Sequence, residues 1–166
     1  MSYQKLQGYQ ALAVYNSDKA DIPYPSQAAQ GTTTSAVTDK LVDASGPGAT
    51  FITDNVAIGD IVYNMTIGRA ATVTLVEDEQ TLVLNDNIMG SGDKYIVYNA
   101  STYKNYQDAN NGCVLYLGNA DGDLRVTTIT GNIVNFKGLK AGTFFPVQVK
   151  RVHLTGTTLT NVIALW

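Results

Sequence analysis

One cysteine (Cys113), one histidine (His153), one tryptophan (Trp166) and four prolines in 166 residues leave little material for crosslinks or for side-chain chemistry. A lone cysteine has no internal partner, so neither a disulfide framework nor an oxidising compartment is implied. No stretch approaches the roughly 18 apolar residues that a membrane helix needs, and no membrane is expected as a partner. The opening MSYQKLQGYQ lacks the continuous apolar core of a signal peptide, so the expected product is soluble and retained in the cytoplasm. Nothing else points to secretion, and the sequons Asn64-Met65-Thr66 and Asn99-Ala100-Ser101 therefore read as chance strings. Charge is sparse as well, at 15 % of residues.

What is present suits strands and turns. The hydrophobic share is 45 %, with 15 glycines and ten tyrosines against four phenylalanines, and many Thr, Val and Asn. That mixture argues for an all-β chain rather than a helical or disordered one. Its length allows one ordinary core or two small β-modules. The net charge of −3 is unevenly spread: residues 1–111 hold six basic and twelve acidic side chains (−6), and residues 112–166 hold five and two (+3). Such polarity suits subunits that pack acidic part against basic part.

Along the chain, GYQALAVY at 8–15 alternates like a strand. Pro23 and Pro25 then impose extended backbone, and the small, polar SQAAQGTTTSAVT predicts a linker or loop with a boundary near residues 26–36. Strands are expected at Asp60–Tyr63, Ala71–Val76, Thr81–Leu84 and Lys94–Tyr98, with Val73 and Leu75 on one face and Glu77-Asp78-Glu79 as a hairpin loop. The polar ASTYKNYQDANN at 100–111 reads as a return linker. Beyond it, CVLYL, DLRVTT, NIVNF, FFPVQVKRVHL and TNVIALW are separated by turn signals every 8–12 residues, as in a β-sandwich. Phe145, Val147 and Val149 keep an odd phase, whereas Val152 and Leu154 keep an even one. The change predicts a β-bulge at Lys150-Arg151, since leaving Val152 and Leu154 in water would cost roughly 1.5–3 kcal/mol each. An apolar terminus, Val162 to Trp166, must be tied into a sheet or a neighbouring subunit.

Candidate chemistry is thin. A Cys-His pair is arithmetically possible, but no protease signature surrounds either residue. Opposite in phase to Val152 and Leu154, His153 is expected to be exposed or at an interface; Cys113 is expected to be a small core residue. Asn119-Ala120-Asp121-Gly122-Asp123 places oxygen side chains as a calcium loop does, yet it lacks the turn glycine and the final bidentate glutamate, so a turn is the expectation and no metal is assigned. Gly90-Ser91-Gly92 has no strand-loop-helix around it and cradles no phosphate. Three consecutive acids at Glu77–Glu79 read as a solvated turn rather than a carboxylate pair. Lys137, Lys140, Lys150 and Arg151 interleave with Phe136, Phe144 and Phe145, but an acidic pI near 4.9 opposes nucleic acid as a partner. The tyrosine excess suits a wet protein interface. Tyr24, Tyr98, Tyr103 and Tyr106 lie in or beside the expected linkers and are contact candidates, together with Lys150, Arg151 and Trp166.

The frame LYLGNADGDLRV…GLKAGTFFPVQVKRV…TGTT…ALW within residues 112–166 resembles structural proteins of tailed-phage particles, in particular the head-spike base proteins of phages and of phage-like gene transfer particles. ALAV…SD…DIP.P near the start resembles the same family, and VAIGDIVYN…ATVTLVEDEQTLVLN…Y resembles a small β-module of phage virion proteins. The resemblance implies a discontinuous β-sandwich from residues 7–25 and 112–166, with residues 33–105 inserted as a second β-module. It also implies a non-enzymatic virion component outside the capsid, made in the host cytoplasm, serving as head-spike base or as capsid decoration (cement) protein. The major capsid protein, other virion proteins and further copies of the chain would be its partners. No catalytic residue or cofactor is carried over. The rival expectation is a receptor- or carbohydrate-binding module of a fibre or tail tip, which needs an exposed aromatic platform. A depolymerase would need a long repetitive β-helix.

Overall fold

The computed structural model describes residues 10–44, 46, 48–100 and 112–166. The fold is all-β and sandwich-like, with two antiparallel sheets and no helix among the described residues. In chain order the strands are β1 (Ala11–Ala13), β2 (Gln27–Thr32), β3 (Ser35–Val37), β4 (Lys40–Val42), β5 (Ile61–Asn64), β6 (Arg69–Asp78) and β7 (Thr81–Leu84). They continue with β8 (Lys94–Tyr98), β9 (Cys113–Tyr116), β10 (Gly122–Thr128), β11 (Ile133–Leu139), β12 (Phe144–Val152) and β13 (Ile163–Leu165).

The first sheet, β1-β13-β9-β12-β10-β11, takes strands from both ends of the described chain; the second, β2-β8-β5-β6-β7-β4-β3, lies wholly between them in sequence. The terminal apolar segment is thus tied down inside a sheet: β13 sits between β1 and β9, with Ala164 opposite both Leu12 and Leu115. Strict alternation in β9 sends Cys113 and Leu115 into the first core with Val126, Val149, Val152 and Ala164. Gly118 allows the loop before β13 to close over this core, because a Cβ there would lie 2.3 Å from the Asn161 carbonyl oxygen.

Phase changes in β12 work as its sequence requires. Thr127 pairs with Arg151 and Thr128 with Val149, which leaves Lys150 as the extra residue of a bulge, so that Val149 and Val152 both reach the core. On the β9 side, Phe145 faces Leu115 and Val149 faces Cys113, a second irregularity that contains Pro146. Proline has no amide hydrogen for a ladder and is tolerated where the ladder is interrupted. Leu154 departs from expectation: β12 stops at Val152, the chain turns, and Leu154 is exposed while His153 is buried.

In the second sheet, the linker expected over residues 26–36 is corrected. Gln27–Thr32 and Ser35–Val37 are strands at its two edges, β2 pairing with β8 and β3 with β4. Small residues serve a purpose in β2: Gly31 leaves room for the buried Tyr95 hydroxyl and the Asp43 carboxylate, which would stand 2.6 and 2.4 Å from a Cβ there. The sheet therefore begins at Gln27, ahead of residue 33. Leu75 is a further correction. Val73 pairs with Leu84 and Leu75 with Val83, so a register shift falls between them; Leu75 turns to solvent at 49 % exposure and Val76 packs on the core instead. β6 also runs on through Asp78, so Glu77 and Asp78 belong to the strand rather than to the loop.

A third, smaller cluster joins the two sheets. Leu12, Tyr15 and Ala20 from the N-terminal segment pack with Ile61, Tyr63, Ala70 and Tyr98. Tyr15 stacks on Tyr63 at 4.6 Å, and Tyr98 meets Tyr63 edge-on at 5.3 Å. Polar contacts flank them, with Lys19 Nζ donating to Asp86 at 2.9 Å and Asn85 Nδ2 to the Lys19 carbonyl at 3.2 Å. Where the chain enters and leaves the second sheet, Asn99 N donates to the Ser26 carbonyl at 2.9 Å and Asn99 Nδ2 to Ser26 Oγ at 3.0 Å. The two ends of that segment are therefore adjacent in space.

Candidate functional site

The strongest polar constellation is one that the sequence does not reveal. His153, at 5 % exposure, lies between Asp18 and Thr127. Its Nδ1 is 3.4 Å from Asp18 Oδ1, and its Nε2 is 2.7 Å from Thr127 Oγ1. Burial, followed by the field of Arg125, depresses the imidazole pKa below its ordinary value; Arg151 adds to this and Asp18 opposes it. The ring is thus neutral at pH 7, with its proton on Nδ1 facing the carboxylate, and Nε2 accepts from the Thr127 hydroxyl.

Asp18 itself is fixed by Thr155, whose Oγ1 donates at 2.6 Å and whose amide donates at 3.1 Å; these bonds hold the carboxyl below its usual range against the cost of burial. Arg151 Nε donates to Asp21 Oδ1 at 2.8 Å and Nη1 to the Asp18 carbonyl at 3.0 Å. An acid-imidazole-hydroxyl series of this kind has the order of a nucleophile relay. Here the hydroxyl belongs to a buried mid-strand threonine between β11 and β12. What the array does in the fold is fasten the segment after β1 to β10 and to the end of β12. His153, expected at the surface, is therefore corrected to a buried side chain, and the reason is the turn that follows Val152.

Other candidates are likewise engaged. Cys113 is in the core with its Sγ 3.6 Å from the Val149 carbonyl, and burial pushes its thiol up to about 12. Asp121 accepts from Lys140 Nζ and the Ala141 amide, and Asp123 from Lys137 Nζ at 2.7 Å and the Gly138 amide; both carboxyls are held below their usual range by these lysines. The residues that evoke a calcium loop thus clasp the β11–β12 turn to the start of β10, while Asn119 Oδ1 accepts from Thr160. No group of three potential ligands converges among the described residues. Glu77 pairs with Lys40 at 2.6 Å, and Glu79 accepts from the amides of Ile52 and Thr53 and from Thr53 Oγ1, which depresses its pKa. In the Gly90–Gly92 loop, Asp93 Oδ2 takes the Gly90 amide and Asn64 Nδ2, while Asn64 Oδ1 caps Thr66 and Ile67. Asn64 is wholly buried, which closes the first sequon to modification.

The contact candidates divide. Tyr24 and Trp166, half-buried, meet edge-on at 5.7 Å at the closure of the chain ends, where the Trp166 amide donates to the Gln10 carbonyl at 3.1 Å. Tyr98 belongs to the seam between the sheets. Arg151 is paired with Asp21, and Lys150 is the half-buried bulge residue whose carbonyl takes the Ile22 amide at 2.7 Å. Tyr103 and Tyr106 lie outside the described residues, as does the expected return linker from residue 101 to 111. Among the described residues, the large apolar side chains most open to water are Phe144 at 69 % and Ile58 at 68 %.

No family model, curated protein or solved structure matches this chain.

Proposed function

We propose that this protein is a structural component of a tailed-phage particle, bound outside the capsid as a head-spike base or decoration protein and acting by adhesion rather than by chemistry. Its partners on this reading are the major capsid protein, other virion proteins and further copies of itself. The observation that supports it best is how the titratable side chains are used. His153, Asp18, Asp121, Asp123 and Glu79 are all engaged within the fold, whereas large apolar groups such as Phe144, Ile58 and Ile133 stand in water. That division suits burial against a partner. The family resemblance of residues 112–166 supplies the particle itself.

A receptor- or carbohydrate-binding module fits less well. The tryptophan that would serve as its platform is packed against Tyr24 and the first core.

Purified particles separated by mass and analysed by mass spectrometry should contain this chain in many copies, and cryo-electron microscopy should find it on the capsid exterior. Absence from washed particles that carry the full set of head proteins would end the reading. The same particles should form with His153→Ala or Cys113→Ala, apart from a modest loss of stability from truncating a buried side chain. A large fall in infectivity with normal incorporation would point instead to chemistry at that residue.

A further inference from the structure

Among the described residues the first sheet ends at β1 and β11, and the second at β2 and β3. β1 and β3 are three residues long, and the pairing of β2 with β8 is broken by a register shift between Gln27 and Ala29. β11 is a different kind of edge. It runs seven residues, and Ile133 to Phe136 face Thr127 to Leu124 of β10 without a break. Where this hairpin closes, the Thr128 amide donates to the Asn132 carbonyl at 2.9 Å. Hydrogen-bonded pairs alternate from there along an antiparallel ladder, so Val134 and Phe136 turn their amides and carbonyls to β10. Ile133, Asn135 and Lys137 turn theirs away. Arg125, opposite Asn135, fixes this phase, because its carbonyl accepts the His153 amide on its other side.

An edge of this length is normally guarded by proline, by a bulge or by an inward-pointing charge. β11 contains no proline, and its one cation, Lys137, is drawn back onto Asp123 at 2.7 Å. Its apolar side chains are open on both faces of the sheet, Ile133 at 56 % and Val134 at 36 %. Val134 shares the core side with Val126, its partner, so the first core is left partly uncovered along this edge.

We propose that β11 pairs with β11 of a second copy, antiparallel, in the register that sets Asn135 opposite Asn135. The strand is self-complementary in that register. Ile133 meets Lys137 of the second copy, so each outward amide and carbonyl of one strand finds an outward partner on the other. A shift of one residue would set outward groups against inward ones, and a shift of two would leave an outward pair unmade. On the core side Val134 meets Phe136 of the second copy, twice about the two-fold axis, and each covers apolar surface that the other leaves open. The two Lys137 side chains lie four strand positions apart, about 13 Å, beyond the roughly 8 Å over which charges act at physiological ionic strength. Pairing β11 with a different edge of the second copy would give an open chain that always ends on a free β11, whereas two β11 strands close on each other. One strand pair is a small contact, so association is weak in solution and strengthens where copies are held side by side. The inference deepens the adhesive reading by naming the strand through which copies meet.

The test uses the full chain in solution, so that its outcome is separate from incorporation into particles. Sedimentation velocity over a concentration series should show a monomer–dimer equilibrium for the wild type. Amide exchange over the same series should slow at Ile133, Asn135 and Lys137 as dimer forms, while Val134 and Phe136 stay slow throughout. Asn135→Pro removes an amide that β10 does not use, so the fold should persist and the dissociation constant should rise about tenfold or more. Asn135→Ala keeps that amide and should associate as the wild type does. A wild type that stays monomeric at every concentration overturns the proposal. So does a dimer that leaves these three amides open, undiminished association of a folded Asn135→Pro, or an equal loss in the alanine variant. Should Asn135→Pro fail to fold, the exchange pattern of the wild type decides alone.

Discussion

The two sheets solve the same problem by different routes. The second is assembled from one continuous stretch, and its ends are bound to each other at Ser26 and Asn99. Its interior is braced by polar groups satisfied within that one stretch, such as Asn64 at the end of β5 and Asp43 beneath Tyr95. The first sheet must bring residues 11–13 to residues 163–165 before its order is complete, and it holds the crossing segment with the Asp18–His153–Thr127 series and with Arg151. Closure over such a span costs more chain entropy than a local hairpin does. The first sheet is consequently the one that depends on its terminus and on the buried Asp18–His153–Thr127 series.

The largest expected effect breaks that dependence. Deleting residues 162–166 removes β13 from between β1 and β9, so the protein should aggregate or show only the second sheet's share of a melt. A soluble product with an intact single transition would mean that the terminal strand is dispensable. Next in size, replacing residues 27–98 by a short Gly/Ser bridge should preserve a cooperative β-type melt, because Ser26 and Asn99 already touch. Exposure of Tyr15 and Leu12 should lower its midpoint, and complete loss of folding would show that the seam cluster is a shared core.

Asn64→Ala should destabilise the second sheet alone by about 1–3 kcal/mol, since it removes a wholly buried side chain bonded to Ile88, Asp93, Thr66 and Ile67. Urea melts followed by amide exchange in each sheet would locate the loss. In the first sheet, Gly118→Ala should cost about 1–3 kcal/mol by forcing the 160–161 backbone away.

The smallest effect is a dependence on pH. Because the folded pKa of His153 lies below its value of 6.5 in the unfolded chain, the unfolded state binds more protons as acid is added. The stability it contributes is present above pH 6.5 and is lost as pH falls through that value. The first sheet should melt progressively lower from pH 7.5 to 5, and His153→Gln should flatten this slope. An unchanged slope in that variant would assign the dependence elsewhere.

Much of this architecture is legible in residues. Alternation in CVLYL, KYIVY and QTLVLN specifies strands, and the phase change at Lys150 specifies a bulge, because period-2 geometry leaves no other way to bury both Val149 and Val152. Phase fails where the ladder itself is interrupted. The register shift beyond Val73 turns Leu75 outward, and the end of β12 exchanges His153 for Leu154. Composition fails for β2, whose alanines and glycine resemble a linker but make room for Tyr95 and Asp43. Asp18, Thr127 and His153 carry no local signal at all. They are brought together only when the segment after β1 crosses the end of β12.

By itself, then, the sequence determined an all-β chain, the strands with clean alternation and a terminus that must be paired, because these follow from local geometry and from the cost of leaving apolar groups in water. The tertiary structure alone decided which strands are neighbours and which histidine nitrogen faces which partner. Pairing between segments more than a hundred residues apart is set by the whole chain's packing, which no local pattern encodes.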